Sequence, residues 1–322
     1  MPRWTLLIAA TLAAVLIAAG QKPAPQATPQ EEPPSDVIKV DVDIVNLLCS
    51  VREKKGGFVK NLEKDAFKVY EDGKEQEIRY FTRETDLPLT IGLLVDVSKS
   101  QENLIEAEKQ AAYQFFGKVL GKKDMAFLIS FGSEAELLQD LTNSPRILRS
   151  GLDELRLNAS VGGVMPSPTG AKQRGTIMYD AVYLAANEKL KREVGRKVIV
   201  LITDGMDFGS RVSRDEAIAA AHKSDAIIYS IYYVDQGAYG YFGASDGDLK
   251  KLSEETGGRV FHVSRRQNLD DIFSEIQEEM RSQYAIGYAP TNANKDGGFR
   301  KIEIKTNDKN QRVQARKGYY AM

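Results

Sequence analysis

Residues 89–97 read LTIGLLVDV, and how this stretch is read decides the fold. Apart from Thr90 the run is apolar at both odd and even positions until it stops at Asp96. A strand with one wet face alternates, whereas a strand covered on both faces does not. The run therefore predicts a central strand of a parallel sheet with helices on each side. Hydroxyls follow the carboxylate at Ser98 and Ser100, so a buried strand ends in an all-oxygen turn.

The segments around it keep the same rhythm. Leu104, Ile105, Ala111, Ala112, Phe115, Phe116, Val119 and Leu120 recur at helical spacing and stop before Gly121. DMAFLISFG is the next strand, EAELLQDLT a short edge strand, and 145–157 a helix. Residues 158–175 carry little periodicity and read as a long loop. Then come a helix (176–192), a strand (197–203), a helix (213–224), a strand (226–234), a helix near 246–256, a strand (259–263) and a helix (269–282). Strands alternating with amphipathic helices imply right-handed crossovers and a doubly wound, mostly parallel α/β sheet over 88–282.

Both flanks change texture. VIKVDVDIVNLLCSVRE reads as one long strand, and FKVYEDGKEQEIRYF as two alternating runs around Asp72-Gly73, a hairpin signal. YAIGYAP, FRKIEIKT and QRVQARKGYY are strand-like as well. Neither flank is long enough for a stable sheet alone. Residues 37–87 and 283–322 are therefore expected to pair into one flanking, β-sandwich-like domain.

Composition narrows the function. The net charge is -1 with 28% charged residues, which gives no reason to expect a nucleic-acid partner. A single cysteine, Cys49, excludes an internal disulfide, and its apolar strand suggests a buried thiol. Two histidines leave little material for a zinc site or a His-based triad. His222 lies near a helix end, where a charged imidazole would favour the helix dipole, and His262 reads as a strand residue. Lys301, Lys305, Arg312, Arg316 and Lys317 read as a solvated strand face. Arg3 followed by an apolar run from Leu6 to Ala19 and small residues at Ala18 and Gly20 reads as a signal peptide, residues 1–20. An uncleaved anchor is the alternative, for which the run is short. The Pro-rich stretch 21–36 reads as a linker, and nothing later is apolar enough to span a bilayer. An extracytoplasmic mature chain, periplasmic or secreted, is expected.

Ligands of open α/β sheets sit at the carboxyl ends of strands. Two strands end in acid there, GLLVD at Asp96 and VLITDG at Asp204, and RGTIMYDA places Thr176 at the mouth of a helix between them. If the two strands are neighbours, Asp96, Ser98, Ser100, Thr176 and Asp204 converge. Oxygen donors without imidazole or thiolate suit a hard divalent cation such as Mg²⁺. Asp and Ser after a strand also serve as simple helix caps. Asp207 reads as a loop acid or cap. The tyrosines of 232–242 read as core packing with one exposed ring, or as a rim that touches a partner.

DVSKS, a helix-opening GT, and TDG after an apolar strand together resemble the von Willebrand factor type A domain and its metal-ion-dependent adhesion site. The flanking FVKNLEKDAFKVYEDGKEQEIRYF and the tail resemble the bacterial, acidobacterial-type VWFA-related family. The resemblance implies Mg²⁺ or Mn²⁺ held directly by Ser98, Ser100 and Thr176, and partly through water by Asp96 and Asp204. It further implies a non-enzymatic adhesion module whose partner protein presents an Asp or Glu. It also implies coupling between affinity and movement of the helix at 269–282. Lys99 departs from the glycine frequent between the serines. A metal-dependent hydrolase, or a scaffold with an empty site, are the alternatives from other classes.

Overall fold

The computed structural model describes residues 44–83, 87–157, 175–235 and 245–322. The signal-peptide and linker readings, and most of the loop at 158–175, lie outside these residues. In chain order the elements are β1 (Val45–Glu53), β2 (Phe67–Glu71), β3 (Lys74–Gln76), β4 (Ile78–Arg83), β5 (Leu89–Asp96), α1 (Ile105–Val119), β6 (Met125–Phe131), β7 (Ala135–Thr142), α2 (Pro145–Asp153), α3 (Met178–Leu184), β8 (Arg196–Thr203), α4 (Arg214–Lys223), β9 (Ala226–Tyr232), α5 (Gly247–Thr256), β10 (Val260–His262), α6 (Leu269–Arg281), β11 (Gln283–Tyr288), β12 (Phe299–Thr306), β13 (Gln311–Ala315) and β14 (Gly318–Tyr320). Among the described residues no helix is long and apolar enough to cross a membrane.

The central sheet runs β10-β9-β8-β5-β6-β7, parallel except for the edge strand β7. Every residue of β5 and β8 is buried, as the unbroken apolar run requires. Alternate side chains face opposite layers. Ile91, Leu93 and Val95 with Val198, Val200 and Ile202 pack under α1, α2 and α6. Leu94, Ile199 and Leu201 pack under α3, α4 and α5. Each such side chain contributes about 1.5–3 kcal/mol on burial, so β5 is fixed from both faces. Its terminal carboxylate is fixed with it.

The α/β unit is doubly wound as expected, and the flanks add two antiparallel sheets, β13-β1-β11-β4 and β14-β12-β2-β3. Their facing sides share one core, with Leu47, Val51, Phe67, Val69, Tyr284, Ile286 and Ile302. Cys49 is buried there, and burial pushes its thiol up to about 12. Residues 37–43 of the long strand read from sequence lie outside the described residues, and β1 begins at Val45.

Three details depart from the sequence reading. The helix expected over 176–192 is α-helical only over Met178–Leu184 and continues as a π-helical turn, Ala185–Leu190. Arg316 is not on a solvated face: it pairs with Asp225 after α4 and donates to the Asn46 carbonyl at 2.7 Å, joining sandwich to α/β unit. His222 does not lie charged at the end of α4. It is buried against the rings of Phe299 and Tyr320, which lie on β12 and β14. Burial, reinforced by Arg316 and opposed by Asp225, lowers its imidazole to about 4.

A pH effect follows from His222. The unfolded chain binds a proton there below about pH 6.5 and the folded chain only below about 4. Stability is therefore complete above pH 6.5 and falls as pH drops towards 4, by roughly 3 kcal/mol in all. His222→Phe is expected to lose this part of the acid sensitivity. The wild-type and variant urea midpoints should diverge between pH 6.5 and 4. A gap that stays constant across that range would refute the assignment.

Candidate metal centre

Asp96 ends β5 with no solvent exposure. Its Oδ1 accepts the Ser98 backbone N–H at 2.9 Å, and its Oδ2 accepts the Thr203 hydroxyl at 2.6 Å. The first bond closes the turn that returns the hydroxyls to the strand end. Ser98 Oγ and Ser100 Oγ lie 3.0 Å apart. Lys99, between them, is exposed. Ser98 and Ser100 on either side of it are half-buried.

β8 lies beside β5 in the sheet, which brings the second acid to the same edge. Asp204 is 4% exposed and its Oδ1 accepts the Met206 N–H at 3.2 Å. Gly205, at φ +83°, turns the chain away, and a Cβ there would stand 2.2 Å from the Ser245 carbonyl. Only glycine fits after Asp204. Burial first and the neighbouring Asp204 second push the Asp96 carboxyl up to about 7. Two carboxylates thus share a buried strand end.

Thr176 reaches this edge from the other side. The N–H of Ile177 donates to the Gly132 carbonyl, just past β6, at 2.9 Å. The Thr176 carbonyl accepts the Phe208 N–H, in the loop after β8, at 3.0 Å. Since β6 and β8 flank β5, the segment bearing Thr176 crosses over the end of β5. The backbone segments that carry the five residues therefore lie at the same edge of the sheet. Asp207 acts as a cap supplied from another loop. Its carboxylate accepts the Tyr179 N–H at the start of α3, where Ile177 offers no side-chain cap, and also the Ser210 hydroxyl at 2.5 Å.

Sequence reasoning missed three residues. Thr203 is the hydroxyl that fixes Asp96 Oδ2, and it sits in plain view before Asp204. Glu108 of α1 and Gln101 are buried close behind the site. Burial, with Asp96 nearby, holds the Glu108 carboxyl well above the usual range. Neither oxygen of Glu108 has a hydrogen-bond partner among the described residues. Their hydrophilic side chains gave no sign of burial. Of the tyrosine stretch, Tyr232 and Tyr233 are half-buried, and 236–244 lie outside the described residues.

The donor set fits a hard cation: two carboxylates with no ion pair among the described residues, with hydroxyls around them. Among the described residues no three His, Cys, Asp or Glu side chains form a metal-binding group. Beside the two carboxylates, this edge carries the side-chain alcohols of Ser98, Ser100, Thr176 and Thr203.

A doubly wound α/β sheet with acids and hydroxyls at its carboxyl edge defines the class. Residues 91–206, within this α/β unit, match the family model of the von Willebrand factor type A domain. A UPF0353 protein of Mycolicibacterium paratuberculosis (strain ATCC BAA-968 / K-10) is 24% identical over 231 residues, covering 65% of this chain. The alignment spans 66% of that relative, just under two thirds of its length. Among solved structures, BatB from Bacteroides thetaiotaomicron is similar at 17% identity and a TM-score of 0.44, covering 60% of this chain and 97% of BatB. Proximal thread matrix protein 1 from the mussel byssus, with a zinc-occupied MIDAS motif, is similar at 17% identity and a TM-score of 0.47, covering 66% and 50%.

Proposed function

We propose that the chain is an exported, divalent-cation-dependent protein-binding module rather than an enzyme. Ser98, Ser100 and Thr176 offer hydroxyl oxygens, and Asp96 and Asp204 offer carboxylates, to Mg²⁺ or Mn²⁺. A bound cation would supply an electrophilic position that accepts an Asp or Glu side chain of a partner protein. The observation that carries this reading is the pair of buried carboxylates, Asp96 and Asp204, at adjacent strand ends with a serine pair 3.0 Å apart beside them. Binding is favoured over hydrolysis because Asp207, the next acid along, spends its carboxylate on N–H and hydroxyl donors and is not free as a base. Export rests on the N-terminal apolar run before the Pro-rich stretch.

The test is capture from an envelope extract of the parent organism. A partner retained in Mg²⁺ is expected to be lost both in EDTA and with Asp96→Ala. Equal capture in EDTA would overturn the reading. So would Mg²⁺-dependent turnover of phosphoesters that vanishes in Asp96→Asn.

A further inference from the structure

Beside the centre, Phe208 is 68% exposed. Single exposed apolar residues are common and need no explanation; Val194, more exposed still, precedes β8 at the opposite edge of the sheet. Phe208 differs in how firmly it is held. Its N–H is bound to the Thr176 carbonyl, on the residue that offers a hydroxyl to the centre. A Cβ on Gly175 would lie 2.5 Å from Phe208 Cβ, and one on Gly209 would lie 2.9 Å from the Gly175 carbonyl oxygen. The two backbones thus touch, with glycines on each side of the contact. Asp207 and Ser210 bind the start of α3, and the Asp180 carboxylate accepts the N–H groups of Arg211 and Val212 at 2.8 and 3.0 Å. The loop is pinned at both ends of the aromatic residue, and the ring is still left in water.

A rigid aromatic side chain has little conformational freedom to lose on contact, so it suits a binding hot spot. On the serine turn of the same centre, Lys99 is exposed as well. We infer that Phe208 is a specificity residue, and that the partner segment presents an acidic side chain to the centre with an apolar side chain beside it, seated on the Phe208 ring. This rests on the cation-dependent reading above and adds what the partner must carry besides its carboxylate.

The test uses a phage-displayed random peptide library selected in Mg²⁺ on wild-type protein and on Phe208→Ser, each with an EDTA control. On wild type, EDTA-sensitive peptides should carry Asp or Glu with an aromatic or aliphatic neighbour. On Phe208→Ser the acid should stay enriched and the apolar neighbour should not. The best wild-type peptide should bind Phe208→Ser about tenfold more weakly, as expected from losing much of one apolar contact, while the Mg²⁺ titration is unchanged. Apolar enrichment equal on both proteins, or absent from both, would overturn the role of Phe208 and leave the metal-carboxylate reading intact. Absence of EDTA-sensitive acidic peptides from both would overturn the two together.

Discussion

Asp96→Asn is expected to abolish the response of the protein to Mg²⁺ and, without metal, to make the fold more stable at neutral and alkaline pH. The side chain is wholly buried, and burial with Asp204 beside it raises the carboxyl to about 7. The folded state then holds a proton that the unfolded state releases above about 3.8. Stability from this group is complete below pH 3.8 and is lost as pH rises through 7, on the order of 4 kcal/mol in total. A divalent cation bound there would offset that cost, and the neutral amide avoids it. Thermal unfolding above pH 7 should show wild type stabilised by Mg²⁺, by about 2.7 kcal/mol at a hundredfold excess over Kd. The variant should start higher and not move. If Mg²⁺ stabilises both proteins equally, the cation binds elsewhere.

The second large effect concerns the join between α6 and the sandwich. Glu279 is fully buried; its Oε1 accepts the Ser50 hydroxyl of β1 at 3.1 Å, and its Oε2 accepts Arg259 Nε at 2.9 Å. Arg259 also donates to Glu275 at 2.7 Å, and Glu275 takes a bond from Arg52 of β1 at 2.5 Å. Removing Glu279 leaves Arg259 with one carboxylate in place of two and the Ser50 hydroxyl without its acceptor. Glu279→Ala should therefore cost about 3–5 kcal/mol, read as a fall in the urea midpoint. Arg259→Met in the same background should recover part of the loss, because it removes the cation that has lost Glu279 and keeps only Glu275. A double variant no better than Glu279→Ala would mean that the loss is a cavity effect. Because α6 ends at Arg281 and β11 begins at Gln283, displacement of this helix would also pull on the strand between β1 and β4.

The local half of the centre was legible because its geometry is local. Asp96, Ser98 and Ser100 belong to one turn, closed by a bond between residues two apart. Thr176 and Asp204 were legible at one remove, through the strand periodicity that makes β5 and β8 neighbours. Asp207 was legible as a cap but not the helix it caps, because the N–H it accepts is that of Tyr179, 28 residues earlier. Glu108 was hidden by its own chemistry, since a carboxylate on a helix reads as solvent-facing until packing shows otherwise. His222 and Arg316 were misread for the same reason: what covers them comes from segments more than 70 residues distant, Phe299 and Tyr320 in one case and Asp225 and Asn46 in the other.

By itself, then, the order of residues determined the doubly wound α/β sheet, since an unbroken apolar strand has one stable environment. It also placed Asp96 and the residue before Asp204 at the carboxyl ends of neighbouring strands. Only the tertiary structure decided which charges lie buried, which loop caps α3, and that Phe208 stands rigidly in water next to Thr176. Those outcomes depend on contacts between distant segments, and the free energy of burying a polar group is set by the neighbours it meets.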